Sequence, residues 1–381
     1  MAVKENQPGE IFWCGAVLNH KGLQSYAGET PAATQWSRGL LEGLRENGVR
    51  VTGFAPMWDT LFPKGRLFPG HADCLDETIP QTLVPYINVP GLRTPSVAAS
   101  LERKIVQRIK QGSRPMAILN YNPYPYYCRA LTNVARRYPE IPWINIVLDL
   151  DDPIRDNWQA FKERTEQSRG NVYLSWWGYC HAPGDHKLHL DGGWDGTLPD
   201  SKTSAEKVFI YAGKFAEYGG INEVIDAIRL FPERDVFFDF YGKGQYDRLT
   251  QLAASDNRVR LRGFVPDAEL AEACASAIAF LNPRDLHFHG TRMIFPSKLL
   301  FYLKFLKPII GPMMPGLSPD YEPMLVQPDG TTPQAWSAAM EKVYHLSPEQ
   351  SRSLTNQSLE LLKKKTWKNQ AGQLHKFISA L

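Results

Sequence analysis

Two stretches of this 381-residue sequence end an apolar run in glycine and a basic residue, a combination suited to holding phosphate, and a third gathers polar and basic groups ahead of a helix start. YAGKFAEYGGINEVIDAI (211–228) places Gly213 and Lys214 after one run. Gly219 and Gly220 then precede a stripe of Ile221, Val224, Ile225 and Ile228 with helical spacing. Glycine lets a ligand reach backbone amides, the start of a helix favours an anion, and Lys214 adds a point charge. An ordinary tight turn with a surface lysine accounts for the same residues equally well. FYGKGQY (240–246) repeats the theme with Gly242, Lys243 and Gly244. It is neither GxxxxGK[ST] nor GxGxxG, and alone it reads more simply as a turn. LNPRDLHFHGTRMIFPSK (281–298) carries Arg284, Asp285, His287, His289 and Arg292 into Pro296-Ser297-Lys298, a step that can open a helix. Convergent hydrogen-bonding groups of this kind suit a ligand site, and a solvated loop is the alternative.

Other clusters carry weaker chemistry. His287 and His289 lack a third metal ligand at a familiar spacing, and Cys180, His181, Asp185, His186 and His189 match no zinc pattern, so no metal is expected. Asp149, Asp151 and Asp152 follow the run WINIVLDL and could position a hydroxyl or act as a base, although Asp152-Pro153 also suits a helix cap. YNPYPYY (121–127) and SWWGY (175–179) could stack on sugar rings or simply pack a core. The run LKKKTWK (362–368) reads as a solvated helix face, with contact to anionic lipid as a weaker reading.

The elements that must position these residues alternate. Strands are expected at 11–18, 49–56, 116–121 and 143–150, and a helix opening at Thr30-Pro31 with Trp36, Leu40 and Leu44 on one face and Gly48 beyond its end. From about 176 to 206 the pattern breaks in a stretch rich in Gly, Pro, His and Asp, read as the crossing between domains. Alternation then resumes with strands at 208–213, 236–241, 259–264, 277–282 and 307–311, and largely helical stretches at 332–345 and 347–380. Such alternation implies parallel sheets covered on both faces, with ligands at the carboxyl ends of the strands.

Composition bounds the function. Lys and Arg total 43 against 40 Asp and Glu, a net charge of +3, so a dedicated nucleic-acid binder is not expected. Five dispersed cysteines without a CxxC pair fit reduced thiols in a cytoplasmic protein. The opening MAVKENQPGE has no apolar signal-peptide core, and no run is long enough to span a bilayer.

The ordered set YAGKFAEYGGINEVIDAI, FYGKGQY, VRLRGFVPDAEL, AIAFLNPR and FPSKLLFYLKFLKPII resembles the C-terminal domain of nucleotide-sugar glycosyltransferases of family 4 over about residues 208–330. The resemblance implies the α/β fold of type GT-B: two Rossmann-like, doubly wound parallel-sheet domains with an interdomain cleft. It implies an acceptor-binding domain at 1–185, a nucleotide-sugar domain at 186–365, and a C-terminal helix at 366–381 packing back toward the first domain. The expected activity is retaining hexosyl transfer from a nucleotide-sugar donor to a glycan, lipid-linked or small-molecule acceptor, in surface polysaccharide or glycoconjugate synthesis. No cofactor or metal is implied; location is cytoplasmic, with peripheral contact at the inner membrane face.

By position, Lys214, Lys298 and Arg284 are the expected catalytic residues. Lys214 stands where the family places an arginine on the donor diphosphate, and Gly219 where many members have a lysine, a charge that Lys298 would supply. Gly213, Gly219, Gly220, Lys243 and Ser297 would line the diphosphate, and Phe264 and Val265 the nucleobase. Arg284 would lie near the transferred sugar. The family carries two glutamates with seven residues between them; here Met293 and Phe301 stand at those positions. Phenylalanine cannot accept the two ribose hydroxyls that a carboxylate can. A degenerate relative that binds a nucleotide or sugar, or scaffolds a partner enzyme, is therefore the alternative, with a nucleotide-sugar epimerase third.

Overall fold

The computed structural model describes residues 9–28, 30–69, 75–150, 153, 156–200, 202, 204–216 and 219–381, without the side chains of His289 and Arg292. Two compact units divide the chain: residues 1–195 with 366–381, and residues 196–365.

The first unit is a parallel sheet of β1 (Glu10–Cys14), β2 (Arg50–Ala55), β3 (Gln81–Leu83), β4 (Pro115–Tyr121), β5 (Trp143–Val147), β6 (Gly170–Tyr173) and β7 (Lys187–His189). The order is β3-β2-β1-β4-β5-β6-β7. Its helices are α1 (His20–Ser25), α2 (Pro31–Glu46), α3 (Arg93–Lys110), α4 (Pro125–Arg137), α5 (Trp158–Glu166) and α6 (Trp176–His181). α2 buries Leu40, Leu41 and Leu44 on one face of the sheet, while α3 and α4 bury Leu101, Ile105 and Leu131 on the other. The expected start of α2 is present: Thr30 Oγ1 accepts the amide of Ala33 at 3.3 Å with Pro31 at the first helical position. Gly48 follows the helix at φ +78°, a conformation that glycine adopts freely.

Three buried asparagines cross this sheet in register. Asn120 pairs with Asn145, and Asn145 with Asn171. Asn145 Nδ2 donates to Asn171 Oδ1 at 2.9 Å, and Asn171 Nδ2 to the carbonyl of Thr165 at 3.0 Å. Slipping a strand by one residue would move an amide onto the opposite apolar layer, so the ladder fixes the register.

The second unit is a parallel sheet of β8 (Lys207–Ala212), β9 (Val236–Tyr241), β10 (Val259–Gly263), β11 (Ala279–Leu281), β12 (Ile309–Ile310) and β13 (Leu325–Val326). The order β10-β9-β8-β11-β12-β13 reverses direction between β8 and β11. Its helices are α7 (Ile221–Leu230), α8 (Asp247–Ser255), α9 (Asp267–Ser276), α10 (Lys298–Leu303), α11 (Pro333–Tyr344) and α12 (Pro348–Lys364). The stripe of Ile221, Val224, Ile225 and Ile228 is wholly buried against the sheet with Trp336 and Met340 of α11. On the opposite face Phe280 of β11 stacks on Tyr302 of α10 at 4.4 Å.

α13 (Trp367–Ser379) belongs to the first unit and packs on α2. Stretch 347–380 is thus two helices, and LKKKTWK is their junction rather than one solvated face. Lys365 is buried, with its ammonium 5.5 Å from the Tyr321 ring centre. Trp367 fills a socket in which Cβ atoms on Gly39, Gly43 or Gly193 would overlap it. Four short strands, β3, β6, β7 and β13, were not expected. The stretch from 176 to 206 contains α6 and β7, and the break between the units falls at 195/196. Among the described residues, no helix is long and apolar enough to cross a membrane.

Candidate functional site

The six strands of the second unit run parallel, so the segments after β8, β9, β10 and β11 share one edge of its sheet. Those segments hold most of the expected site residues. The turns after β8 and β9 are bonded together: Gly213 N donates to Tyr241 O at 2.9 Å, and Phe215 N to Lys243 O at 3.0 Å. A Cβ on Gly242 would overlap the carbonyl of Gly213, so only glycine permits this approach. Tyr211 Oη donates to the carbonyl of Lys214 at 2.8 Å, which fixes that main chain while the lysine side chain stays exposed.

Gly220 sits at the start of α7 with φ +68°, against the main chain of Arg284 beyond β11. It therefore joins the two loops that flank the reversal in strand order, where ligands bind in open α/β sheets. Gly219 has room around it: the nearest atom to an added Cβ is Tyr211 Oη at 3.6 Å.

Lys298 opens α10, and its side chain reaches back to the end of β8. Its Nζ donates to Ala212 O at 3.3 Å and lies 4.3 Å from the Tyr211 ring centre. An added Cβ on Gly213 would stand 2.9 Å from that nitrogen. Enclosure of the ammonium holds its pKa well below the ordinary lysine value, and the nearby positive charge of Arg284 lowers it further. Among the described residues no carboxylate forms an ion pair with Lys298. An anion arriving beside Gly213 would restore the charged form.

The other expected residues divide. Lys243 Nζ lies 3.8 Å above the ring of Phe264, which is 68% exposed, so this lysine covers the aromatic surface after β10. Val265 follows it, half-buried. Ser297 is exposed and makes no side-chain cap bond to α10. Phe301 packs its ring against Phe305 at 5.2 Å, with the Lys304 ammonium 5.4 Å from its centre. Met293 is buried.

One residue at this edge escaped the sequence reading. Asn282 follows β11 on the face that carries Phe280 and Tyr302, and both of its amide atoms are buried without a hydrogen-bond partner among the described residues. Its only signal in the sequence is a polar residue closing the run AIAFLN.

At the corresponding edge of the first unit, Asn122 is buried in the left-handed region at φ +55°. Its Oδ1 accepts the amides of Leu148 at 2.8 Å and Asp149 at 3.1 Å, and its Nδ2 donates to Asp149 Oδ2 at 2.9 Å. Asp149 is thereby held with its carboxylate at an exposed position. Asp151 and Asp152 lie outside the described residues. Tyr121, Tyr124 and Tyr126 line up beside Asn122, and Tyr126 meets Trp58 at 4.7 Å.

The link cluster does not converge. His181 Nδ1 bonds the carbonyl oxygen of Trp177 at 2.8 Å, and the His189 ring meets Trp176 edge-on. Among the described residues no three His, Cys, Asp or Glu side chains gather as metal ligands do.

No protein-family model and no curated protein sequence matches the chain. Solved structures do. A sucrose-phosphate synthase from Thermosynechococcus elongatus superposes with a TM-score of 0.66 at 14% identity, over 98% of this chain and 99% of that one. A glycosyltransferase from Rickettsia africae gives 0.72 at 10% identity over 98% of each chain. Anabaena HepE in complex with UDP and glucose gives 0.64 at 13% identity, over 98% of this chain and 100% of that one. With both parallel sheets and their strand orders, these likenesses show that the chain has the GT-B fold of two Rossmann-like domains.

Proposed function

We propose that the protein is a retaining glycosyltransferase that takes a hexose from a nucleoside-diphosphate sugar and passes it to a glycan or lipid-linked acceptor. The observation that carries this reading is the Lys298 ammonium, enclosed between Gly213, Tyr211 and the charge of Arg284. The Lys298 amine and the positive charge of Arg284 acting on it, with no carboxylate paired to Lys298 among the described residues, suit a dianionic leaving group. Breaking the sugar–phosphate bond builds charge on that phosphate, and fixed cations stabilise it more in the transition state than in the donor. In this reading the acceptor oxygen bonds to the anomeric carbon, the phosphate oxygen departs, and the acceptor proton goes to that phosphate on the same face. No metal is needed, because Lys298, Arg284 and Lys214 carry the countercharge. The second unit holds the donor, the first carries the acceptor, and Asp149 orients its hydroxyl. Neighbours crystallised with UDP and with ADP support a nucleotide-dependent donor.

The test is a panel of UDP-, ADP-, GDP- and CDP-sugars scored by thermal shift and by donor hydrolysis, with Lys298→Met and Lys214→Ala beside the wild type. One donor class should raise the melting temperature and be hydrolysed, with both effects lost in Lys298→Met. Absence of any stabilising donor would sink the reading.

A second reading follows from Phe301. Its ring packs on Phe305, where the resembled family would offer a carboxylate to the ribose. A relative that binds a nucleotide without turning it over would show stabilisation with no hydrolysis and no transfer.

A further inference from the structure

The charge of the first unit is concentrated on one helical layer. α3 and α4 together carry eight basic residues and one acidic residue, Glu102. The neighbouring α5 has two of each sign, as does α2 on the opposite face of the sheet. The whole chain has a net charge of only +3, so this layer is more basic than the chain that holds it. Arg103, Arg108 and Lys110 on α3, with Arg129, Arg136 and Arg137 on α4, are all exposed. The lone acid is occupied, because Glu102 Oε2 accepts from Asn133 Nδ2 at 2.8 Å. A groove of about 750 Å³ runs along α3, lined by Glu102, Arg103, Val106 and Lys110 with Arg137 of α4.

The same layer has an apolar end. Buried Asn88 ties the loops before α3 into one piece: its Nδ2 donates to the carbonyls of Thr60 and Arg66, both at 2.7 Å, and its carbonyl accepts the amide of Phe62. This small unit exposes Leu61, Phe62, Phe68, Ile87 and Leu92, with Phe68 at 66% and Leu92 at 51%. Leu92 is the residue from which α3 starts, and half-exposed Tyr124 starts α4 beside it. Large apolar side chains gathered on one exposed loop pair mark a contact surface rather than random exposure.

Cations along a face and apolar side chains at one end of it are the two forces that hold a protein on an anionic bilayer. We infer that the α3–α4 face and the loops that start it dock on an anionic lipid surface, with the basic side chains over the headgroups and Phe62, Phe68 and Leu92 inserted. A nucleic acid would satisfy the cations but would leave those three apolar side chains in water. The docking claim rests on charge and exposure alone. Its consequence, that a lipid-linked acceptor reaches Asp149 past Trp58 and Tyr126, rests on the proposed transfer.

Co-sedimentation of the full chain with phosphatidylcholine vesicles, with and without 30% phosphatidylglycerol, tests it without any donor (roughly the anionic fraction that gives a surface potential of tens of millivolts). Binding should require the anionic lipid and weaken as salt rises. Each cation near such a surface is worth about fivefold in affinity, so the triple variant R103E/R108E/R136E should bind about a hundredfold or more weakly. F62S/F68S should lose most of the binding that survives at high salt. K363E/K364E, on α12 of the other unit, should bind as wild type does. Circular dichroism spectra and unfolding midpoints equal to wild type would show that the variants fold. Equal binding to neutral vesicles, no binding to anionic ones, or loss of binding in K363E/K364E would overturn the proposal, as would capture of single-stranded RNA in place of vesicles. If vesicles bind but no nucleotide sugar is turned over, the docking surface stands and the transferase reading fails.

Discussion

Gly220 stands directly on the main chain of Arg284. A Cβ at position 220 would lie 2.6 Å from the Arg284 nitrogen, and the φ of +68° is one that alanine adopts only with strain. Gly220→Ala should therefore cost about 2–4 kcal/mol, from strain and overlap together. Gly219→Ala meets nothing closer than 3.6 Å, an ordinary van der Waals contact, and should cost under about 1 kcal/mol. Urea unfolding of the two variants compares adjacent glycines of opposite sensitivity; equal losses would mean that the loop contact does not govern the difference.

Lys298 gives a pH prediction whose sign follows from its depressed pKa. The unfolded chain holds the lysine proton more tightly than the folded one. Stability therefore rises with pH between the folded pKa and the ordinary lysine value, and the cost of the buried amine grows as pH falls. Lys298→Met removes that cost, so its stability advantage over wild type should shrink as pH rises toward the ordinary lysine value. Binding of a nucleoside diphosphate should run the linkage in reverse, with proton uptake on the enzyme side. Calorimetry in two buffers of different ionisation enthalpy measures it; identical observed heats in the two buffers would mean that no proton is taken up and that Lys298 does not meet the phosphate.

Trp367 provides a stability test remote from any ligand. Its indole sits against Gly39 and Gly193 and meets Trp36 edge-on at 5.8 Å, while its main-chain carbonyl lies against Gly43. Trp367→Ala should cost about 3–5 kcal/mol, as large-to-small changes in a packed core do. Gly39→Ala should approach that loss by pushing the indole out. A loss below 1 kcal/mol for either would show that α13 is not fastened at this point.

The sequence made the alternation of the two units and the start of α2 legible, because those rest on periodicity and caps that local residues carry. It did not reveal β3, β6, β7 and β13, which are four residues or fewer and too short for a period to show. The basic residues at strand ends could be named as phosphate candidates, yet Lys243 lies over Phe264 while Lys298 reaches β8, a distinction that depends on side-chain direction. The asparagine ladder and Asn282 were hidden for a related reason. A single amide in an apolar run carries no periodic signal, and its meaning appears only when strands from distant stretches align.

Asn122 separates holding a residue from touching a substrate. Its side chain takes the amides of Leu148 and Asp149 and grips the Asp149 carboxylate, while its backbone sits in the left-handed region. Asn122→Gly keeps the backbone conformation at little cost and removes the grip. Asn122→Ala removes both and should be the less stable variant by about 1 kcal/mol, the price of forcing alanine into that region. If Asp149 orients the acceptor hydroxyl, both variants should lower kcat by about tenfold or more and leave the KM for the donor unchanged, since the proposed donor site belongs to the other unit. Asp149→Asn should match them in kcat without their loss of stability. A donor KM that rises in step with the fall in kcat would mean that Asn122 acts through the fold alone.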